Sequence, residues 1–272
     1  MKAGAIENHR GREKGSLIYP VYSRRSKGLS IGINLFPDKK TCNYNCPYCE
    51  VFPFPERAAF SSVQADADLR EAVKTALEEK IPIMDLCFSG NGEPTMSADF
   101  EQMLERTINI RDELVSGTQV VLITNGTGLL KNKIFDLLSK KANEGLCIWL
   151  KVDAGTEEWF KKINSPCGIE FGKLNERVKE FSLKAPFTVQ TMVCKINGLP
   201  PPANEEEAWS NLVTGFAAAG NLKSVQIYGK ARSGPSDPAA QQAEPELLEN
   251  RARALKKALE KTAPNLPVEI FN

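Results

Sequence analysis

The chain has 272 residues, 42% hydrophobic and 25% charged, with a net charge of +1, which is the profile of an ordinary soluble globular protein with enough length for one large domain and a full core. No stretch approaches ~18 uninterrupted apolar residues and the N-terminus is polar and charged, so neither a membrane span nor an apolar signal core is expected. Seven cysteines are an odd number, which argues against a secreted disulfide framework and for a reducing, cytoplasmic location. In chain order, residues 1–28 hold seven Lys or Arg against two Glu, leaving about −4 for the remainder by subtraction. They are expected to form a basic N-terminal extension ahead of a domain at 29–272. Arg10, Arg12, Lys14, Arg24, Arg25 and Lys27 are candidates for contacting a polyanion such as tRNA, although a solvated leader explains the same charge.

Beyond residue 28, apolar runs alternate with amphipathic segments, the pattern of β/α units building a parallel sheet. Strands are expected at 29–37, 84–89, 119–124, 147–153, 187–194, 223–229 and 267–271. Leu69, Ala72, Val73, Ala76 and Leu77 recur at helical spacing, as do Phe100, Met103, Leu104, Thr107 and Ile108. Asn204 with Glu207 gives a cap-like start to a helix carrying Trp209, Leu212, Val213 and Phe216. Leu247, Leu248, Arg251, Leu255 and Leu259 mark a last helix. Six units suit an α/β fold closed as a partial (β/α)6 parallel barrel better than a complete eightfold one. The strand-to-helix links are the long ones, and active sites gather at that end of parallel strands. The link 230–245 is small, polar and Pro-containing, so it is expected to lack regular structure, as a substrate lid or a surface loop.

Cys42, Cys46 and Cys49 stand at C-x3-C-x2-C spacing directly after the first of those strands. Three thiolates on one short loop can bind three irons of a four-iron cubane, leaving the last iron open for a ligand. A closed ferredoxin cluster or a structural zinc site would want a fourth ligand, and the single histidine, His9, does not easily supply it. Gly90 and Gly92 bracket Asn91 at a strand end, where small residues let backbone approach a ligand. Glu93 follows, then Pro94 and Thr95.

These segments resemble the radical S-adenosylmethionine (SAM) superfamily, whose cluster motif is C-x3-C-x2-C with an aromatic residue, here Tyr48, before the last cysteine. Gly90-Asn-Gly-Glu-Pro94 is similar to the superfamily's Gly-Gly-Glu-Pro segment, with Asn91 in place of a glycine. Ser23-Arg-Arg25, Asn91–Thr95, Asp153-Ala154 with Ile163-Asn-Ser-Pro166, Val189–Met192, and Gln226-Ile-Tyr228 with Arg232 look like the wyosine-synthase-related branch. The resemblance implies the same partial barrel, a [4Fe–4S] cluster on Cys42, Cys46 and Cys49, and bound SAM. Reductive cleavage of SAM would give methionine and a 5′-deoxyadenosyl radical that abstracts hydrogen from a substrate, fed by an electron donor such as flavodoxin or ferredoxin. Glu93 would pair with the ammonium of SAM by a charge-assisted hydrogen bond. Cofactor contacts are expected from Tyr48, Gly90, Asn91, Gly92, Glu93, Thr124, Asn125, Asp153 and Gln190. The cofactors carry the hard step, so catalytic side chains are few. Lys151, Asp153, Tyr228 and Arg232 are the candidates.

Lys151 and Asp153 alternate, so they share a face, and two inward charges there need pairing or a ligand. Gln190 and Gln226 are similar polar interruptions of apolar strands. Cys87, Cys147 and Cys194 read as buried structural thiols, and Cys167 as loop-borne. Wyosine synthases of archaea carry a second cluster on cysteines ahead of the main motif, and this chain has none before Cys42, which argues against the wyosine reaction itself. The leading expectation is a radical SAM enzyme acting on an RNA base or related nucleoside. The alternatives are a small-molecule enzyme, an activase that installs a radical on a partner protein, and an iron–sulfur electron carrier or zinc-binding module that is not an enzyme.

Overall fold

The computed structural model of the protein describes residues 16–52 and 59–271. The chain divides into two compact units. One comprises residues up to Cys42, Val51–Thr124 and Gly145–Cys147, and the other Asn43–Glu50, Asn125–Glu144 and Ile148–Asn272.

The first unit contains β1 (Ile18–Ser23), β2 (Gly28–Ile33), α1 (Ser62–Glu78), β3 (Ile83–Phe88), α2 (Phe100–Leu114) and β4 (Gln119–Thr124). β2, β3 and β4 are parallel neighbours. β1 is antiparallel to β2, so residues 18–23, grouped by charge with the basic extension, belong to the sheet. Arg24 to Lys27 make the turn of that hairpin. Arg10, Arg12 and Lys14 lie outside the described residues. The strand expected at 29–37 ends at Ile33. Helix α1 starts where the Ser61 side chain accepts from the Gln64 amide, and it buries Ala65, Leu69, Val73 and Ala76, one stripe of a 3.6-residue period. Phe88 at the end of β3 meets Phe100 at the start of α2 edge-to-face, 5.7 Å between centroids.

The second unit contains α3 (Asn132–Asn143), β5 (Cys147–Lys151), α4 (Glu157–Ile163), α5 (Phe171–Ser182), β6 (Phe187–Ile196), α6 (Ala203–Ala217), β7 (Leu222–Gly229), β8 (Ala240–Gln242), α7 (Pro245–Leu259) and β9 (Val268–Phe271). β5, β6, β7 and β9 are parallel neighbours. Three expectations are corrected here. β5 ends at Lys151, so Asp153 sits on the following loop. Helix α6 begins at Ala203 with Pro202 at its cap and no side-chain cap bond, so the Asn204 and Glu207 pattern does not start it. The 230–245 link contains β8, antiparallel to β6 through Cys194 to Ile196. Phe181, Phe187 and Phe216 stack helix α5, strand β6 and helix α6 into one aromatic core. Among the described residues no helix is long and apolar enough to cross a membrane.

Candidate functional site

In the first unit the segment after β3 turns sharply. Gly90 has φ +141° and Gly92 lies against the loop that leads to Cys42, where a Cβ would stand 1.8 Å from the Thr41 carbonyl oxygen. Only glycine fits that approach. The two segments bond there: the Thr41 amide donates to the Asn91 carbonyl at 3.0 Å, and the Glu93 amide donates to the Thr41 carbonyl at 2.9 Å. Asn91 is fully buried, its amide donating to Asn34 Oδ1 and its Nδ2 to the Phe36 carbonyl. Side-chain donors from two segments fix the Glu93 carboxylate. Its Oε1 accepts from Thr95 Oγ1 at 2.6 Å, the Thr95 amide at 3.1 Å and Thr124 Oγ1 at 2.7 Å. Glu93 and Thr124, each named separately from sequence as a cofactor contact, are in contact with each other, with Glu93 oriented by the end of β4.

In the second unit Asp153 is the hub. Its Oδ2 accepts from Tyr48 Oη at 2.5 Å and Asn164 Nδ2 at 2.8 Å, and its Oδ1 from the Met192 amide at 2.8 Å, with Lys151 Nζ at 3.3 Å. Lys151 Nζ also donates to Tyr228 Oη and stands 4.8 Å above the Tyr48 ring. Burial alone would lower the Lys151 pKa, but the charge of Asp153 and the contacts with Tyr228 outweigh it, and the ammonium is held above its ordinary range. Tyr48 is shifted up by burial and by Asp153, so its phenol stays protonated and donates.

The segment Asn43–Glu50 rests on this hub. The Asn45 amide donates to the Asn164 and Ser165 carbonyls, the Cys167 amide donates to the Asn43 carbonyl, and Tyr44 packs edge-to-face on Phe160 of α4. Asn125 Nδ2 donates to Asn43 Oδ1 at 2.9 Å, so its observed role is to brace the cysteine loop. Arg232, expected near the substrate, pairs with Glu50 at 2.9 Å. Behind it Gly234 passes so close to the loop that a Cβ would stand 2.5 Å from the Cys49 carbonyl oxygen. The link 230–239 is pinned further by Lys230 to Asp237 at 2.8 Å.

Two contributors escaped the sequence reading. Glu205 of α6 is buried and accepts from the Gly155 amide at 2.5 Å and from the Thr156 amide and hydroxyl at 2.9 and 2.6 Å, clamping the loop that carries Asp153. Asn164 donates to Asp153 and approaches Cys46 Sγ at 3.6 Å. Its motif was visible, but the contacts span more than a hundred residues of chain to Cys46, and no periodicity marks them. Burial raises the Asp85 carboxyl above its ordinary value, against the lowering effect of its bonds to Ser26 and Ser30 and, last, of the charge of Arg25, which was offered for phosphate contacts. Cys87 and Cys194 are buried as expected, Cys147 is half-buried and Cys167 exposed.

Cys42, Cys46 and Cys49 form no disulfide and are of intermediate exposure. Burial, with the charge of Asp153, pushes the Cys46 thiol up to about 12, so binding to iron must displace its proton. Among the described residues no three His, Cys, Asp or Glu side chains converge as a site for one metal ion. A cubane asks for something different, one thiolate per iron around a cluster. Three cysteines on one loop, with the Asn164 amide beside the Cys46 sulfur, fit that group.

Residues 39–170 match the model of the Radical SAM superfamily, a stretch that contains the cysteine loop, the Gly-Asn-Gly-Glu segment and Asp153. A UPF0026 protein of Helicobacter pylori is 29% identical over 209 residues, covering 76% of this chain and 64% of that protein. Among solved structures, Streptococcus suis SuiB bound to S-adenosylmethionine aligns with a TM-score of 0.64 at 13% identity, over 86% of this chain and 49% of SuiB. A radical SAM methyltransferase from Sphaerobacter thermophilus gives 0.65 at 12% identity, over 93% of this chain and 68% of that one. The chain thus spans less than two thirds of the length of that curated relative and about half of SuiB. The structural likenesses show the α/β partial barrel of the radical SAM type, and the match over residues 39–170 supports the radical SAM superfamily. A relative from Synechocystis, 29% identical over 64% of this chain and 63% of that protein, also carries the UPF0026 name. The superfamily implies a [4Fe–4S] cluster and SAM.

Proposed function

We propose that this protein is a radical SAM enzyme that abstracts hydrogen from an RNA base or a related nucleoside, on a scaffold akin to the wyosine-synthase-related branch. The observation that carries the reading is the superfamily match over residues 39–170, which takes in both the cluster motif and the glycine-rich glutamate segment at once. Cys42, Cys46 and Cys49 hold the cluster. When bound, cluster and SAM together supply a 5′-deoxyadenosyl radical by one-electron reductive cleavage.

The chain's own residues hold and orient. Glu93, fixed through one oxygen by Thr95 and Thr124, presents its carboxylate to the SAM ammonium, while the Gly90–Gly92 backbone gives close approach. Asp153 holds the Tyr48 phenol and the Asn164 amide, and so fixes the cysteine loop against the strand ends. Thr124 and Asn125 would serve the polar groups of SAM. The electron comes from a small donor protein such as flavodoxin or ferredoxin. An RNA substrate is supported by the basic residues at the front of the chain and by the branch motifs around Asp153 and Tyr228.

The test is anaerobic formation of 5′-deoxyadenosine by reconstituted, reduced protein, with and without bulk tRNA from cells lacking this protein. Formation that rises on adding tRNA is the expected result. Formation without stimulation would redirect the substrate toward small molecules or a partner protein. No formation from protein with a spectroscopically verified four-iron cluster would leave an electron carrier as the better reading.

A further inference from the structure

The register of the second unit's sheet builds a polar row that runs from Lys151 of the hub to two glutamines the proposed function leaves without a role. Lys151 of β5 partners Gln190 of β6, Gln190 partners Gln226 of β7, and Gln226 partners Glu269 of β9. Partners in a parallel sheet project from one face, and so do residues two apart along a strand. One step toward the strand starts, Thr188 partners Ser224, and one step toward the ends Met192 partners Tyr228.

β6 shows which face this is. Phe187 stacks on Phe181 of α5 and Phe216 of α6, and Thr191 accepts from Arg251 of α7. Thr188, Gln190 and Met192 alternate with these residues and therefore look away from the helices. The inner face of a β/α barrel is ordinarily filled by layers of bulky apolar side chains. Here it carries a carboxamide pair, Gln190 Nε2 donating to Gln226 Oε1 at 2.6 Å, and a hydroxyl pair, Thr188 with Ser224 at 3.0 Å. Gln190 is 0% exposed and Gln226 6%. Apolar side chains of similar shape would serve the fold about as well as a buried hydrogen-bonded pair, so stability gives no reason for the row.

We propose that this row is the substrate-recognition layer, and that its ligand presents a neutral amide-type edge, a donor beside an acceptor, as a nucleobase does. A carboxamide offers the complementary edge, the chemistry by which Gln reads bases elsewhere. The two amides can exchange their mutual bond for equivalent bonds to a ligand. Asp153 stands 3.3 Å from Lys151, so the one ammonium of the row is paired and leaves no unbalanced cation for a carboxylate or phosphate. This inference rests on the hydrogen-abstracting reading and narrows its substrate.

The test is equilibrium dialysis of the full-length reconstituted protein against labelled guanosine, adenosine, cytidine and uridine, with ribose as the amide-free control. A short single-stranded RNA arm separates a free nucleoside from a base within RNA. The expected result is binding of a nucleoside or the RNA, no binding of ribose, and at least tenfold weaker binding by the Gln190→Met/Gln226→Met double variant. The double change removes both partners and strands no buried amide. If thermal melting shows that variant unfolded, Thr188→Val/Ser224→Ala takes its place, with a few-fold loss expected. Equal binding of ribose, wild-type affinity in a folded variant, or no binding by any base-containing probe would each overturn the proposal. Deoxyadenosine formation is scored separately: if it fails, the radical reading falls, and if it succeeds without base binding, only the recognition layer falls.

Discussion

A buried carboxylate keeps its charge only where donors surround it, and Asp153 has three hydrogen-bond donors besides the Lys151 ammonium. Asp153→Asn preserves shape but withdraws the negative charge from a lysine whose side chain is only 15% exposed. Losing one partner of a buried pair is costly, so chemical denaturation is expected to show a loss of about 3 kcal/mol. Most of it should return in Asp153→Asn/Lys151→Met, where no charge is stranded. A double variant as unstable as the single would mean that the hydrogen bonds, not the charge pair, carry the hub. Under the proposed function Glu93 makes the opposite case, a charge kept for a ligand. In Glu93→Gln the remaining side-chain oxygen still accepts from Thr95 and Thr124, so the fold should survive with an unchanged melting temperature. SAM, deprived of its charge-assisted bond, should bind more weakly by about 2 kcal/mol, roughly thirtyfold in Kd. Dialysis against labelled SAM measures this, and an unchanged Kd would remove Glu93 from the ammonium site.

At the scale of elements, the clamp of α6 on the β5–α4 loop makes a pH-dependent prediction. Burial raises the Glu205 carboxyl above its ordinary value of 4.5, against the lowering effect of its bonds to Thr156 and Gly155. The folded state therefore binds that proton more tightly than the unfolded chain. The carboxyl's contribution to stability is complete below pH 4.5 and is lost as pH rises through the raised folded value. Glu205→Gln cannot titrate and cannot accept at both oxygens. It should be less stable than wild type by about 1–3 kcal/mol, with the gap widest near pH 4.5 and narrowing above it. Urea melts of both proteins across that window decide the matter, and a gap that widened with pH would mean the carboxylate is stabilised as an anion. This clamp also marks where reading the sequence fails. The parallel strands were legible because apolar runs alternate with amphipathic ones, and the cysteine loop and Gly-Asn-Gly-Glu were legible because their chemistry is local. Glu205 was not, since its partners lie fifty residues upstream and it looks like any acid in a helix's first turn. β1 hid behind Pro20 and the flanking arginines. β8, only Ala-Gln-Gln, is defined by the strand it pairs with.

For the whole molecule, charge sets how firmly a polyanion can be held. Net charge is +1, so phosphate contacts are expected from the few basic residues at the front of the chain rather than from a broad cationic surface. Counterion release makes the salt slope a count of neutralised phosphates, about −0.9 per contact. Six contacts would cost more than a thousandfold in affinity between 50 and 200 mM salt, whereas two would cost about tenfold. If recognition rests on a base held in the carboxamide layer with little backbone grip, tRNA affinity should fall by about tenfold over that range, measured by filter binding at fixed pH. A thousandfold fall would move the weight of binding to the phosphates. Repeating the titration without residues 1–15 would then show whether Arg10, Arg12 and Lys14 supply it, since their loss would flatten the slope by about three contacts. A tenfold fall that truncation leaves untouched would assign the affinity to the base, and would make a free nucleoside nearly as good a ligand as the RNA that carries it.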